Sequence, residues 1–113
     1  MSTSVHGVPE SVALRAFAAV ESHPMQKEAT AWAYCVSDVF ETSKQCLDRS
    51  QLSAEEKSSI QLALSGVETV LVVSYWTAEQ TPKPLSGAGK LYSFLIHSQS
   101  FVVLHAEIGG WRS

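Results

Sequence analysis

At residues 67–76 the chain reads V-E-T-V-L-V-V-S-Y-W, and two physical signals disagree over it. Ile60, Leu64, Val67, Leu71 and Tyr75 recur at the spacing of one helix face. Val67, Thr69, Val70, Val72 and Val73 are β-branched, stiff at χ1 and better suited to a strand. The Ser65-Gly66 pair could end a helix just ahead of them, because glycine accepts the left-handed position at a helix C-terminus. Periodicity is weighted above composition, which predicts a helix over 54–76, with strand as the competing reading. The start of that helix is marked by a capping box: Ser53 accepts the Glu56 backbone N–H and the Glu56 side chain reaches back. Glu55-Glu56 is then the acidic first turn of a helix, where carboxylates suit the positive end of the dipole, and not a paired acid and base. As a membrane span the 67–76 window is too short, since a bilayer needs about 20 apolar residues.

Upstream, Pro9 and Glu10 open a first helical pattern over 9–22, with Ala13, Ala16, Phe17 and Val20 at helical spacing. His23-Pro24 divides it from a second. There Ala29, Trp32, Val36, Val39, Phe40 and Leu47 fall mostly three or four apart, and Ala29, Ala31 and Ala33 add intrinsic propensity. A helix over 25–49 follows. It would put Cys35 and Cys46 on one face about 16 Å apart, too far for a mutual disulfide, so both read as small buried apolar groups in a reducing compartment. Downstream, 78–89 carries Thr81-Pro82-Lys83-Pro84 and Ser86-Gly87-Ala88-Gly89 and reads as a Pro/Gly loop. Beyond it Tyr92, Phe94, Ile96, Val102, Leu104, Ala106 and Ile108 share even parity, the alternation of a β-hairpin over 90–108. Its tip falls at His97-Ser98-Gln99-Ser100, with Ile96 facing Val102 and Phe94 facing Leu104.

The expected fold is therefore α+β and predominantly helical: three N-terminal helices followed by a C-terminal antiparallel β-hairpin. An all-α four-helix bundle is the alternative. The 113 residues form a single domain (1–113) with a flexible N-terminus at 1–8. Apolar residues at 45% and charged residues at 17% exclude intrinsic disorder.

Charge narrows the function classes. Residues 1–80 hold 5 Lys/Arg against 10 Asp/Glu, whereas 81–113 hold Lys83, Lys90 and Arg112 against Glu107. No cluster of basic residues could displace phosphate counterions, so no nucleic-acid partner is expected. The N-terminus has no basic stretch followed by an apolar run, and a cytoplasmic protein without membrane association is expected. Gly87-Ala88-Gly89-Lys90 has a superficial likeness to a phosphate loop, but Pro84 and Leu91 stand where glycine and Ser/Thr are needed. Nucleophile elbows, C-x-x-C pairs and H-E-x-x-H are absent, and no catalytic residue or cofactor is assigned.

What remains is the aromatic content of the last third. Trp, Tyr and Arg dominate interface energetics when buried centrally, which makes Tyr92, Phe94, Phe101, Trp111 and Arg112 the candidate partner-binding residues. The function expected is a small non-enzymatic protein-binding domain, of adaptor, inhibitor or immunity type. It would dock on a protein partner or on its own copy through an apolar C-terminal surface. The alternative is a small-ligand or metal-binding domain using His97, His105 and Glu107, since imidazole and carboxylate are reasonable zinc ligands, although two histidines fall short of a full ligand set.

Overall fold

Residues 69–78 form a strand and not the end of a helix. The computed structural model describes the backbone of residues 2–49, 52–79 and 88–112, and the side chains of 7–48, 52–79 and 88–111. Its elements in chain order are β1 (Ser2–His6), α1 (Glu10–Val20), α2 (Pro24–Thr30), β2 (Tyr34–Ser43), a 3₁₀ turn (Lys44–Arg49), α3 (Ala54–Ala63), β3 (Thr69–Ala78), β4 (Ala88–His97) and β5 (Val103–Arg112). The five strands make one sheet in chain order. β2 to β5 form an antiparallel meander of four strands, and β1 adds to β2 in parallel.

The predominantly helical class is thus overturned, and neither a lone hairpin nor a four-helix bundle describes the chain. The cause is visible in β3. Leu71, Val73, Tyr75 and Thr77 point to one face and Val70 to the other, and all five are buried. A strand covered on both faces loses its polar/apolar alternation and becomes a continuous apolar run, within which helical spacing can be found by coincidence. The strand preference of its β-branched residues was the informative signal. α3 starts where the capping box puts it, with Ser53 Oγ accepting from Glu56 N at 3.1 Å. It stops at Ala63, and Gly66, at φ +87°, takes the left-handed turn into β3.

The helix expected over 25–49 is likewise only a two-turn α2, N-capped by His23, whose Nδ1 accepts from Met25 N. From Tyr34 the chain is β2, in which Cys35, Ser37 and Val39 are buried and the intervening residues half-buried. Pairing with β1 on one side and β3 on the other satisfies its backbone, a long-range arrangement that overrides local alanine-rich propensity. Residues 2–6, within the N-terminus expected to be flexible, supply that β1. Most of the expected 78–89 loop, residues 80–87, lies outside the described residues.

Alternation along the strands sorts the packing into two layers. On one face α1 and α2 cover Val39, Leu71, Val73, Tyr75, Tyr92, Phe94 and Ile96, with Ala13, Ala16, Val20 and Ala29 from the helices. Trp32 Nε1 donates to the Tyr92 hydroxyl at 3.1 Å, which lets that large ring sit fully buried without an orphaned polar group. On the other face α3 and the 3₁₀ turn cover one end, where Leu47, Ile60, Leu64 and Val67 meet Val70 and Leu95.

The C-terminal hairpin exists, with a different register. Phe94 faces Ala106 and Tyr92 faces Ile108, while a bulge between Leu95 and Ile96 brings Val103 opposite Ile96. The turn is wider than the sequence suggests. It runs through Phe101, which adopts φ +61°, a strained conformation for a bulky residue, with its ring held under the Arg15 guanidinium at 4.1 Å.

Candidate functional site

Helix α3 covers only one end of its sheet face, which leaves the other half without a helix over it among the described residues. Cross-strand pairs bring Val36 beside Trp76, Asp38 beside Ser74 and Phe40 beside Val72. Leu91 and Ser93 of β4 continue the surface, as do His105, Glu107 and Trp111 of β5. Val36, Phe40, Val72, Leu91 and Trp111 are half-buried, and Trp76 is 37% exposed.

Trp111 is fixed on this face and does not reach outward. Its indole Nε1 crosses the backbone of Gly89 on β4 and donates to the Thr77 carbonyl of β3 at 2.9 Å. Its ring meets Trp76 edge to face, with centroids 6.2 Å apart. Gly89 is required by this arrangement: a Cβ there would overlap the Thr77 carbonyl oxygen and stand 2.9 Å from the indole nitrogen. Gly109 and Gly110, directly ahead of Trp111, are part of β5.

Between β2 and β5 the face sinks into a cleft of about 210 Å³, lined by Phe40, Thr42, Cys46, Val72, Ser93, Leu95, His105 and Glu107 together with part of Phe94. His105 Nε2 stands 3.7 Å from Glu107 Oε1, and the two side chains are 16% and 27% exposed. A shallower groove shares His105 and runs to the first turn of α3, between Glu55, Glu56, Ser59, Ile60 and Leu104. Burial pushes the Cys46 thiol above its usual pKa, helped by the nearby Asp48 carboxylate, and burial raises Cys35 on the opposite face. Both shifts run against nucleophilic use, which requires thiolate.

The residues singled out from sequence divide accordingly. Tyr92 and Phe94 are fully buried under α1 and α2 and present nothing to a partner. Phe101 is engaged by Arg15 and packs on the same core. Trp111 belongs to the open face, and the Arg112 side chain lies outside the described residues. His97 is occupied structurally: its Nδ1 accepts from Gln99 N and Ser100 N, both at 3.1 Å, and so shapes the hairpin turn. His105 and Glu107 are brought together, but no group of three or more His, Cys, Asp or Glu fit to hold a metal occurs among the described residues. Val36 and Phe40 fall in the apolar stripe of the expected 25–49 helix, and Val72 and Trp76 lie off the stripe of the expected 54–76 helix. The even-numbered order Val36, Asp38, Phe40 and Val72, Ser74, Trp76 was the signal that could have found them, since period two marks one sheet face.

No helix among the described residues is long and apolar enough to cross a membrane. The chain matches no protein-family model, and no curated protein or solved structure is similar to it.

Proposed function

We propose that this chain is a small non-enzymatic protein-binding domain, of adaptor, inhibitor or immunity type, that docks a partner on the open half of its sheet face. The observation that carries this reading is the Trp76–Trp111 pair beside Val36 and Phe40 on a half-face with no described helix over it. Four strands about 4.8 Å apart and some five residues of about 3.3 Å each make a patch on the order of 300 Å². Val36, Phe40, Leu91, Trp76 and Trp111 supply its apolar part, interspersed with Asp38, Ser74 and Ser93. A stable interface buries about 800 Å² per partner, so the patch forms the centre of the contact and polar surroundings complete it. Tryptophan is the residue type most enriched among energetic anchors.

The cytoplasm is the compartment proposed, in keeping with Cys35 and Cys46 not being disulfide-bonded. The partner is another protein or a second copy of this chain. Light scattering after size exclusion, over a wide concentration range, separates these two cases. Trp76→Asp then provides the test, because Trp76 is partly exposed and its replacement spares the core beneath α1 and α2. The variant should melt within a few degrees of the parent and bind the partner, or itself, at least tenfold more weakly. Undiminished association by a folded Trp76→Asp protein would sink the proposal.

A further inference from the structure

The cleft where the open half of the face meets the α3 layer has on one wall a polar atom, His105 Nε2, that the described chain does not satisfy. His105 and Glu107 are two residues apart on β5 and so share a face. Their separation of 3.7 Å is too long for a hydrogen bond. His105 Nε2 is buried and makes no hydrogen bond with any described residue, a state that buried polar atoms rarely occupy without a partner. In the neutral tautomer with its proton on Nδ1, Nε2 is an acceptor, and this wall then offers two acceptors side by side.

The remaining walls define what could fill the space. Phe40 and Val72 are apolar. Among the described residues, neither the cleft nor the groove it joins at His105 is lined by a lysine or arginine, whereas Glu107 lines the first and Glu55 and Glu56 the second. An anionic group would be repelled by these carboxylates. No group of three or more His, Cys, Asp or Glu fit to hold a metal ion occurs here among the described residues. An ammonium would meet the charge as a point, but a guanidinium meets the geometry as well. It is planar, permanently cationic, presents several N–H donors along one edge and stacks on aromatic faces. A volume of 210 Å³ has room for about seven groups of water size, the bulk of an arginine side chain.

We infer that the cleft receives a guanidinium group, with the His105 Nε2 and Glu107 carboxylate accepting its N–H donors. Assigning that group to an arginine of the docked protein rests on the function proposed above, and it makes the docking segment of the partner basic. Recognition of guanidinium itself stands on the cleft alone.

The test is a ¹H–¹⁵N NMR titration of the full chain with benzamidine, an aromatic amidinium that reproduces the planar cationic fork, and with benzamide, its uncharged counterpart. Benzamidine should produce saturable shifts at the amides of Ser93, His105 and Glu107, and benzamide should produce none. Glu107→Gln keeps the shape of the side chain and removes its charge, and it should weaken benzamidine about tenfold, the loss expected for one charge-assisted hydrogen bond. Equal binding of the two compounds, or shifts confined to other surfaces, would overturn the inference, and this comparison needs no variant to fold. If benzamidine fails while Trp76→Asp abolishes docking, the guanidinium site falls and the docking face stands. If benzamidine binds at the cleft while Trp76→Asp leaves association intact, the docking face falls and the site stands.

Discussion

Gly89→Ala is the perturbation that most directly probes how the last strand is tied to the sheet. In the structure the Gly89 backbone lies against β3, and an added methyl would be driven into the Thr77 carbonyl oxygen and to 2.9 Å from the Trp111 indole nitrogen. The first obstacle is backbone, so no side-chain rotation relieves it and β4 must move. Overpacking of this kind destabilises by about 1–3 kcal/mol. Movement also breaks the indole bond to Thr77, worth about 1 kcal/mol. The combined loss is about 3 kcal/mol. At about 2.1 cal/mol/K per residue, 113 residues carry an unfolding entropy near 240 cal/mol/K, so Tm should fall by roughly 12 °C. Differential scanning calorimetry measures this directly. Two glycines of β5 serve as internal controls: a Cβ at Gly109 meets nothing within 4 Å, and one at Gly110 only the Gly89 carbonyl oxygen at 3.8 Å. Alanine at either should shift Tm by no more than about 2 °C. Trp111→Phe, which keeps a ring and removes the N–H, should fall between, near 4 °C. A Gly89→Ala protein melting within about 4 °C of the parent, or a Gly109→Ala protein losing as much, would refute the account of this contact.

Three further expectations follow from other parts of the molecule. Ser53→Ala removes the acceptor for Glu56 N and should lower stability by about 1 kcal/mol, read as a lower urea midpoint with unchanged slope. Tyr92→Phe removes the acceptor of the Trp32 indole N–H at about 1 kcal/mol, whereas Tyr92→Ala should remove about 3–5 kcal/mol as a core truncation; a small loss for Tyr92→Ala would return Tyr92 to the surface. Burial raises Cys35 and Cys46 above their ordinary value of 9.0 and Tyr75 above 10.0, so the folded state disfavours their ionised forms. Their contribution is complete below pH 9.0 and is lost as pH rises through the raised values; a denaturant midpoint that stayed level or rose above pH 9.0 would contradict this.

The features legible in the amino-acid order are those whose physics is confined to a few neighbouring residues. The Ser53/Glu56 capping box placed the start of α3, Pro9-Glu10 the start of α1, and the parity of 92–108 the existence of a hairpin. Residues 34–43 and 69–78 were misassigned because their conformation is decided by partners far along the chain. β2 needs β1 and β3 to satisfy its backbone, and β3 is covered by helices on both faces at its Val70 end, which blurs the alternation that would have announced it. The candidate site follows the same division. Aromatic abundance in the last third was plain from composition, but only burial distinguishes Tyr92 and Phe94 in the core from Trp76 and Trp111 on the open face. The sequence by itself determined the local helix starts at Pro9-Glu10 and at Ser53/Glu56. The tertiary structure alone decided which apolar residues meet each other and which are left uncovered, because hydrophobic burial depends on area removed from water by the assembled fold and not on the order in which the residues occur.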